Sequence, residues 1–392
     1  PKITPSLDAF DRVFREAVRR QSDVDIDFAV FLSGGLDSSL VAAVARSLRP
    51  DRPLRGYTVR FQEASFDEGE YAEEAARRLG LELESVWVRP EDIPLELPAL
   101  IRRVGEPLAD PAWLPAALLS RAAAQNYRMT LVGEGADELF GGYPTYLGVG
   151  VAERFSRLPS WVRQLLRRGV QALPPSDKKV TVSYLLKRFV AGADLDGMAR
   201  HQLWNSNVAP ELLRRLGVEP VSLPGHVPEG PILLDRVQQW DLEVPLAEGL
   251  LTKADRASMS SALELRAPFL DEAVLEFAAS LPQEERVRGF TTKSFLKRYA
   301  LRYLPDRIVN RRKRGLSVPL ARWLRGPLQD WAGTRLASPT LGRLGLRSDV
   351  ISELYQEHVE RRADHARALW TLIVLSLWLE WAAELDSTEP QT

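Results

Sequence analysis

Residues 28–39 read FAVFLSGGLDSS: a short apolar run enters a Gly-Gly turn and then meets an aspartate and two serines. The apolar run lacks polar alternation, the pattern of a strand buried on both faces. Gly34 and Gly35 let the backbone turn sharply and approach a ligand that a Cβ would hold away. Ser38 and Ser39 fall where the next helix begins. Their hydroxyls, the open N–H groups and the positive end of the helix dipole therefore meet at one spot, which suits an anion such as pyrophosphate. Asp37 in that nest would repel a phosphate, which points to a divalent cation between them. A Gly-Gly turn alone is a common loop signal; the whole string is far more specific.

Hydrophobic periodicity organises the first part of the chain. Leu7, Phe10, Val13, Phe14, Ala17 and Val18 recur at helical spacing. Strands are expected over 28–32, 54–59, 83–88 and 129–132. Helices are expected over 41–48, 71–79, 95–104 and 114–125. Strands alternating with helices imply an α/β fold with a doubly wound parallel sheet and ligands at the carboxyl ends of its strands. After about residue 146 strand-like runs vanish, and Arg- and Leu-rich helical patterns take over. The expected division is an α/β domain over 1–146, which carries the anion nest, and a large, mostly helical region over 147–392.

With 52 basic and 53 acidic residues among 392, the formal charge is −1, so no global field recruits nucleic acid. The Arg167-Arg168 and Arg214-Arg215 pairs read as solvated helix faces, and Arg311-Arg312 as the exception. No apolar run reaches the 18 residues of a membrane span, and the stretch 369–379 reads as a buried terminal helix. The expected location is cytoplasmic, with no membrane partner. The sequence contains no cysteine, which removes disulfides, thiolate metal sites and cysteine nucleophiles. The four histidines show no metal-ligand spacing.

A second glycine-rich segment, LVGEGADELFGGY over 131–143, repeats the logic of the first. A strand ends, Gly133 and Gly135 open the backbone, and Glu134, Asp137 and Glu138 crowd one loop. Such crowding is unfavourable without a cation. Asp37 and Asp137 are the expected Mg²⁺ ligands, at neighbouring strand ends. Two further segments stand out, LTKADRASMSSALELRAPFLD over 251–271 and NRRKRGLSVP over 310–319.

The first string resembles the PP-loop, SGGxDS, of enzymes that split ATP between its α and β phosphates. All four segments, in this order, together with the Trp-rich RALWTLIVLSLW near the end, resemble the synthetase half of the asparagine synthetase family. That resemblance implies ATP and Mg²⁺ as cofactors, with aspartate or another carboxylic acid and ammonia as substrates. Ser33, Gly34, Gly35, Asp37, Ser38 and Ser39 would hold the phosphates, and Leu32, Val59, Val132 and Gly133 the adenosine. Glu134 matches the glutamate tied to intermediate formation and to deprotonating the amine. Lys313, Lys253 and Lys293 match basic positions facing the phosphates, and Glu264 and Arg266 would frame the substrate or form a structural pair.

Val132 stands where the family often has Ser or Thr. Members usually begin with a glutaminase domain whose first residue is a catalytic cysteine. This chain opens PKITPSLDAF, which leaves either a piece of a longer protein or a stand-alone synthetase, with a glutaminase domain or subunit as the partner that would supply ammonia. Relatives that close β-lactams and carbapenams carry Tyr at the position of Glu134, so they fit less well. A lasso-peptide macrolactam cyclase and a non-catalytic binding partner on the same fold stay open.

Overall fold

The computed structural model describes residues 6–173, 182–192, 194–221, 227–311 and 315–388. Its elements begin with α1 (Leu7–Ser22), β1 (Ala29–Phe31), α2 (Leu36–Leu48), β2 (Arg55–Arg60), α3 (Gly69–Leu79) and β3 (Glu82–Trp87). Then come α4 (Asp92–Val104), α5 (Trp113–Ala124), β4 (Met129–Leu131), α6 (Ala136–Phe140) and α7 (Pro144–Ser156). Every expected strand and helix of this part is present, with ends displaced by a few residues. Ser6 caps α1 by accepting from the Ala9 N–H, and Gly80 and Gly105 end α3 and α4 in the left-handed conformation.

Five parallel strands form the sheet in the order β3-β2-β1-β4-β5, with β5 being Glu264–Arg266. The chain runs outward from β1 to β3 and returns on the other side as β4. The crevice between the carboxyl ends of β1 and β4 is therefore the point where strand order reverses, the usual place for a ligand in such sheets. The expectation that strands stop near residue 146 is corrected by β5. Its three residues, ELR, are too short to show a period of two, and their pairing with β4 is a long-range effect that local sequence does not signal.

One face of the sheet is covered by α1, α2 and the helices Glu272–Ala279 and Ser294–Ala300, around Phe10, Phe14, Val41, Phe140, Phe269, Phe295 and Tyr299. Phe10 sits at the centre, its ring 5.4 Å from both Phe140 and Phe295 and 4.8 Å from Tyr299. The other face packs Tyr57, Trp113, Trp323 and Trp370 against α4, α5 and the terminal helix Ala366–Thr388. That helix is long and apolar enough to cross a membrane by length and composition. Its Leu369, Trp370, Ile373 and Val374 are nevertheless buried in this core, as expected for 369–379. A smaller cluster joins α7 to Gly197–Asn205 and Leu233–Asp241 through Tyr146, Met198, Val237 and Trp240.

The arginine pairs on helix faces meet acidic neighbours. Arg167 pairs with Asp194, Arg215 with Glu353 and Arg214 with Glu219.

His358, on Ser348–Val359, is fully buried. Its Nδ1 accepts from the His365 backbone N–H at 3.2 Å, so the ring proton belongs on Nε2. Burial first, then the Arg325 guanidinium, pushes its pKa down to about 4 from 6.5. The unfolded chain takes up this proton below about 6.5, whereas the fold resists until about 4. The stabilisation is complete at neutral pH and drains away on acidification. Chemical denaturation at pH 8 and pH 5 should show about 2 kcal/mol of loss from this group, and His358→Gln should remove that component. An unchanged pH slope in the variant would refute the assignment.

Candidate active site

The loop after β1 is held at both ends. Leu32 N–H donates to Tyr57 O at 2.9 Å, extending the ladder past the strand. Gly34 then turns with φ +66°, and a Cβ there would lie 2.2 Å from the Tyr71 carbonyl carbon at the start of α3. Both the left-handed backbone and this contact require glycine. Ser33 and Ser38 close the turn, their hydroxyls 3.1 Å apart and Ser38 Oγ accepting from the Ser33 N–H. Gly35 is the N-cap of α2 and offers no side-chain oxygen to the first-turn N–H groups. Ser39 Oγ is buried without a hydrogen-bond partner. An uncapped helix start beside a buried orphan hydroxyl suits a phosphate.

The loop after β4 lies directly against this one. A Cβ on Gly133 would stand 2.9 Å from Ser38 N and 3.1 Å from the Asp37 carbonyl carbon. The pairing of β1 with β4, Val30 opposite Leu131, brings the two loops together. Val132 N–H donates to Arg266 O at 2.9 Å, so β5 fixes the far side of the same loop. Gly135 follows at φ +88° and starts α6, on which Asp137 and Glu138 ride.

Lys293 joins the two loops. Its ammonium is 2.5 Å from Asp37 Oδ1 and 2.8 Å from Asp137 Oδ1, and the residue is 3% exposed. The Lys293 backbone is left-handed, at φ +52° and ψ +39°, where it caps the helix Ser294–Ala300. For a side chain this long, that conformation costs on the order of 1 kcal/mol and marks a position held by its surroundings. A Cβ on Gly142 would strike Asp137 Oδ1 at 1.9 Å and Lys293 Cε at 2.3 Å, so that glycine makes the room.

Glu138 lies behind the loop and is buried. Tyr143 Oη donates to its Oε1 at 2.5 Å. Burial first, and the Asp137 carboxylate second, push the Glu138 pKa up to about 7. Sequence reasoning noted Glu138 in the crowd of acids without giving it a role; its partner Tyr143 ends the same motif. Arg311 was also missed as a site residue. It pairs with Glu68 at 2.8 Å, donates to Ser33 O at 3.3 Å and lies 3.8 Å from the Tyr71 ring centroid. Its place in the basic run 311–314 was the available signal.

The remaining sequence-derived positions fall as follows. Val59 is buried near the end of β2, opposite Val86 of β3. Glu134 is half-buried in the turn between β4 and α6. Lys253, on Thr252–Met259, pairs with Asp110 at 2.9 Å. Glu264 and Arg266 pair with each other at 2.8 Å, and Arg266 also donates to Gln21 O at the end of α1. Lys313 lies outside the described residues.

Asp37 and Asp137 fit a Mg²⁺ ion by donor chemistry, since both are carboxylates and one cation already bridges them. Among the described residues no group of three or more acidic or histidine side chains could hold a metal by itself.

The asparagine synthase family model matches residues 9–380, and the chain belongs to that family. It is 30% identical over 366 residues, 92% of this chain, to glutamine-hydrolysing asparagine synthetase 1 of Bacillus subtilis. It is 30% identical over 98% of its length to a putative glutamine-hydrolysing asparagine synthetase of Mycobacterium tuberculosis. Similarity at 25% identity, over 80% of the chain, reaches an amidase of Penicillium rubens. The chain spans 57% and 60% of the length of the first two relatives and 52% of the third.

The close approach at Gly133 leads to a direct test. Gly133→Ala forces the two loops apart by a fraction of an ångström while leaving both cores intact. ATP-dependent turnover should fall about 10²-fold with an unchanged circular dichroism spectrum. Retention of activity would show that the loops do not act as one site.

Proposed function

We propose that this chain is the synthetase part of an asparagine-forming enzyme, joining ammonia to the side-chain carboxylate of aspartate with ATP cleaved to AMP and pyrophosphate. The observation that carries the reading is the junction of two strand-end loops: an uncapped, glycine-lined helix start beside Asp37 and Asp137, with both carboxylates on one cation. Family membership supports the reaction class.

In this reading the PP-loop Ser33, Gly34, Gly35, Ser38 and Ser39 bind the ATP phosphates, and Leu32, Val59, Val132 and Gly133 border the adenosine. Asp37 and Asp137 would hold Mg²⁺, which would supply positive charge to offset the pyrophosphate. An oxygen of the aspartate side-chain carboxylate attacks the α-phosphorus. A new carboxyl–phosphate bond forms as the bond to the β-phosphate breaks, and pyrophosphate leaves with the electron pair. The ammonia lone pair then attacks the acyl carbon, AMP departs, and Glu134 takes the proton from the new amide nitrogen. Lys313 and Lys253 are assigned to the charge that builds on the departing phosphates, and Arg266 with Glu264 to the substrate side. Residues 1–146 would supply most of the nucleotide site and 147–392 would complete it. A glutaminase domain or subunit is the proposed source of ammonia, because this sequence has no cysteine to release it.

Incubation with Mg-ATP, aspartate and ammonium salts should yield asparagine, AMP and pyrophosphate in equal amounts. Glutamine in place of ammonium should yield no glutamate. Glu134→Gln should abolish asparagine formation while residual adenylate is hydrolysed to AMP and free aspartate. Unreacted aspartate, together with cyclisation of a peptide carboxylate, would overturn the substrate assignment.

Lys313→Ala should lower kcat and kcat/KM together by about 10²–10³, since its charge is assigned to the transition state. A raised KM for ATP with unchanged kcat, in the same steady-state assay, would mean that Lys313 only binds ground-state nucleotide.

A further inference from the structure

Lys293 and a metal ion would compete for the same two carboxylates. The ammonium sits within hydrogen-bonding distance of Oδ1 of Asp37 and Oδ1 of Asp137, the carboxylates to which the proposed function assigns Mg²⁺. We propose that Lys293 is a built-in counter-cation that closes the metal site while nucleotide is absent. It makes metal binding conditional on the nucleotide that brings the metal in.

Three features carry this. First, the ammonium is buried and bridges two loops that would otherwise present like charges to one another. A divalent ion arriving alone would have to displace a charge-assisted pair and give up part of its own hydration, in return for two carboxylates only. Second, an ion arriving on a polyphosphate brings further oxygen ligands with it. It also brings negative charge that the displaced ammonium can follow, because lysine is a point charge on a flexible stem. Third, a second ammonium stands near Lys293 and repels it, a repulsion that an arriving polyphosphate would relieve. Lys297, one turn along the same helix, is half-buried, and its pKa is lowered by burial and by Lys293. The left-handed backbone at Lys293 and the clearance at Gly142 hold the stem in line with both carboxylates.

The inference deepens the ATP-dependent ligase reading in its nucleotide arm and is independent of it in its metal arm. Lys293→Met removes the ammonium but keeps an unbranched stem in the buried channel. The full chain is titrated with Mg²⁺ alone, then with Mg²⁺ and a non-hydrolysable ATP analogue, by thermal unfolding and by isothermal calorimetry. Wild type should show no saturable response to Mg²⁺ alone and a clear rise in Tm with Mg²⁺ and the analogue. Lys293→Met should have a lower Tm in chelator, because two facing carboxylates have lost their bridge. It should then gain a saturable Tm rise and measurable heat from Mg²⁺ alone. Adding Asp37→Asn and Asp137→Asn to Lys293→Met should abolish that gain.

Saturable Mg²⁺ binding by wild type without nucleotide, at concentrations that saturate the variant, overturns the proposal. So does a folded Lys293→Met that ignores Mg²⁺. Should Lys293→Met not fold, Lys293→Gln takes its place, and the wild-type titration still decides on its own. A wild type that ignores Mg²⁺ with the analogue, while Lys293→Met binds Mg²⁺ alone, would refute the ATP reading and leave the competition between lysine and metal standing.

Discussion

The parallel pairing of β1 with β4 is the contact on which the rest of the site depends. Both strands are three residues long, yet their register sets Val30 beside Leu131 and delivers two glycine-bearing loops to the same point. Each loop alone is an ordinary strand-to-helix turn. Side by side, with Gly133 against the backbone of Asp37 and Ser38, they place a helix start and the carboxylates of Asp37 and Asp137 around one cation. Strands this short are held in place by the layers on both faces of the sheet, where Phe10 and Phe14 pack on one side and Trp113 and Trp370 on the other.

The helical region reaches the same site through buried polar contacts. Gln238 donates to the Glu138 carbonyl at 2.5 Å and accepts from Arg286 at 2.7 Å, and Arg286 also pairs with Asp235. Tyr146 donates to Asp241 at 2.6 Å, and Asp241 is also 2.8 Å from His201 Nε2. Polar groups buried this deeply are costly unless matched, so helices that carry partners for them are held in one arrangement. Asp241 stands where Leu233–Asp241 passes into the π-helical stretch Leu242–Leu251, which runs on into Thr252–Met259 and Lys253. Loops from the sheet and helices from later in the chain are therefore locked together around α6.

The first 146 residues were legible because their signals are local. Apolar runs, glycine turns and helical periodicity each sit within a dozen residues, and every expected element there is observed. Asp37 and Asp137 could be placed together because each follows a strand end in a segment of the same design. The meeting of Lys293 with both was harder to read, since its segment, TTKSFLKRYA, carries no glycine turn and lies far along the chain. β5 was invisible for a similar reason: three residues gain their strand character from β4, not from their own pattern. Arg311 lay in a run read mainly through Lys313, and its stacking on Tyr71 depends on the start of α3 lying against the loop after β1. The raised pKa of Glu138 follows from its burial, which a loop motif does not reveal.

The central claim is that a carboxylate oxygen is joined to the α-phosphorus of ATP. Aspartate labelled with ¹⁸O in its side-chain carboxylate, incubated with Mg-ATP and ammonium, tests it directly by mass analysis of the products. One labelled oxygen should appear in AMP for each asparagine formed, with none in pyrophosphate or inorganic phosphate. Label recovered in inorganic phosphate with ADP as the coproduct, or asparagine formed without labelled AMP, would contradict the account.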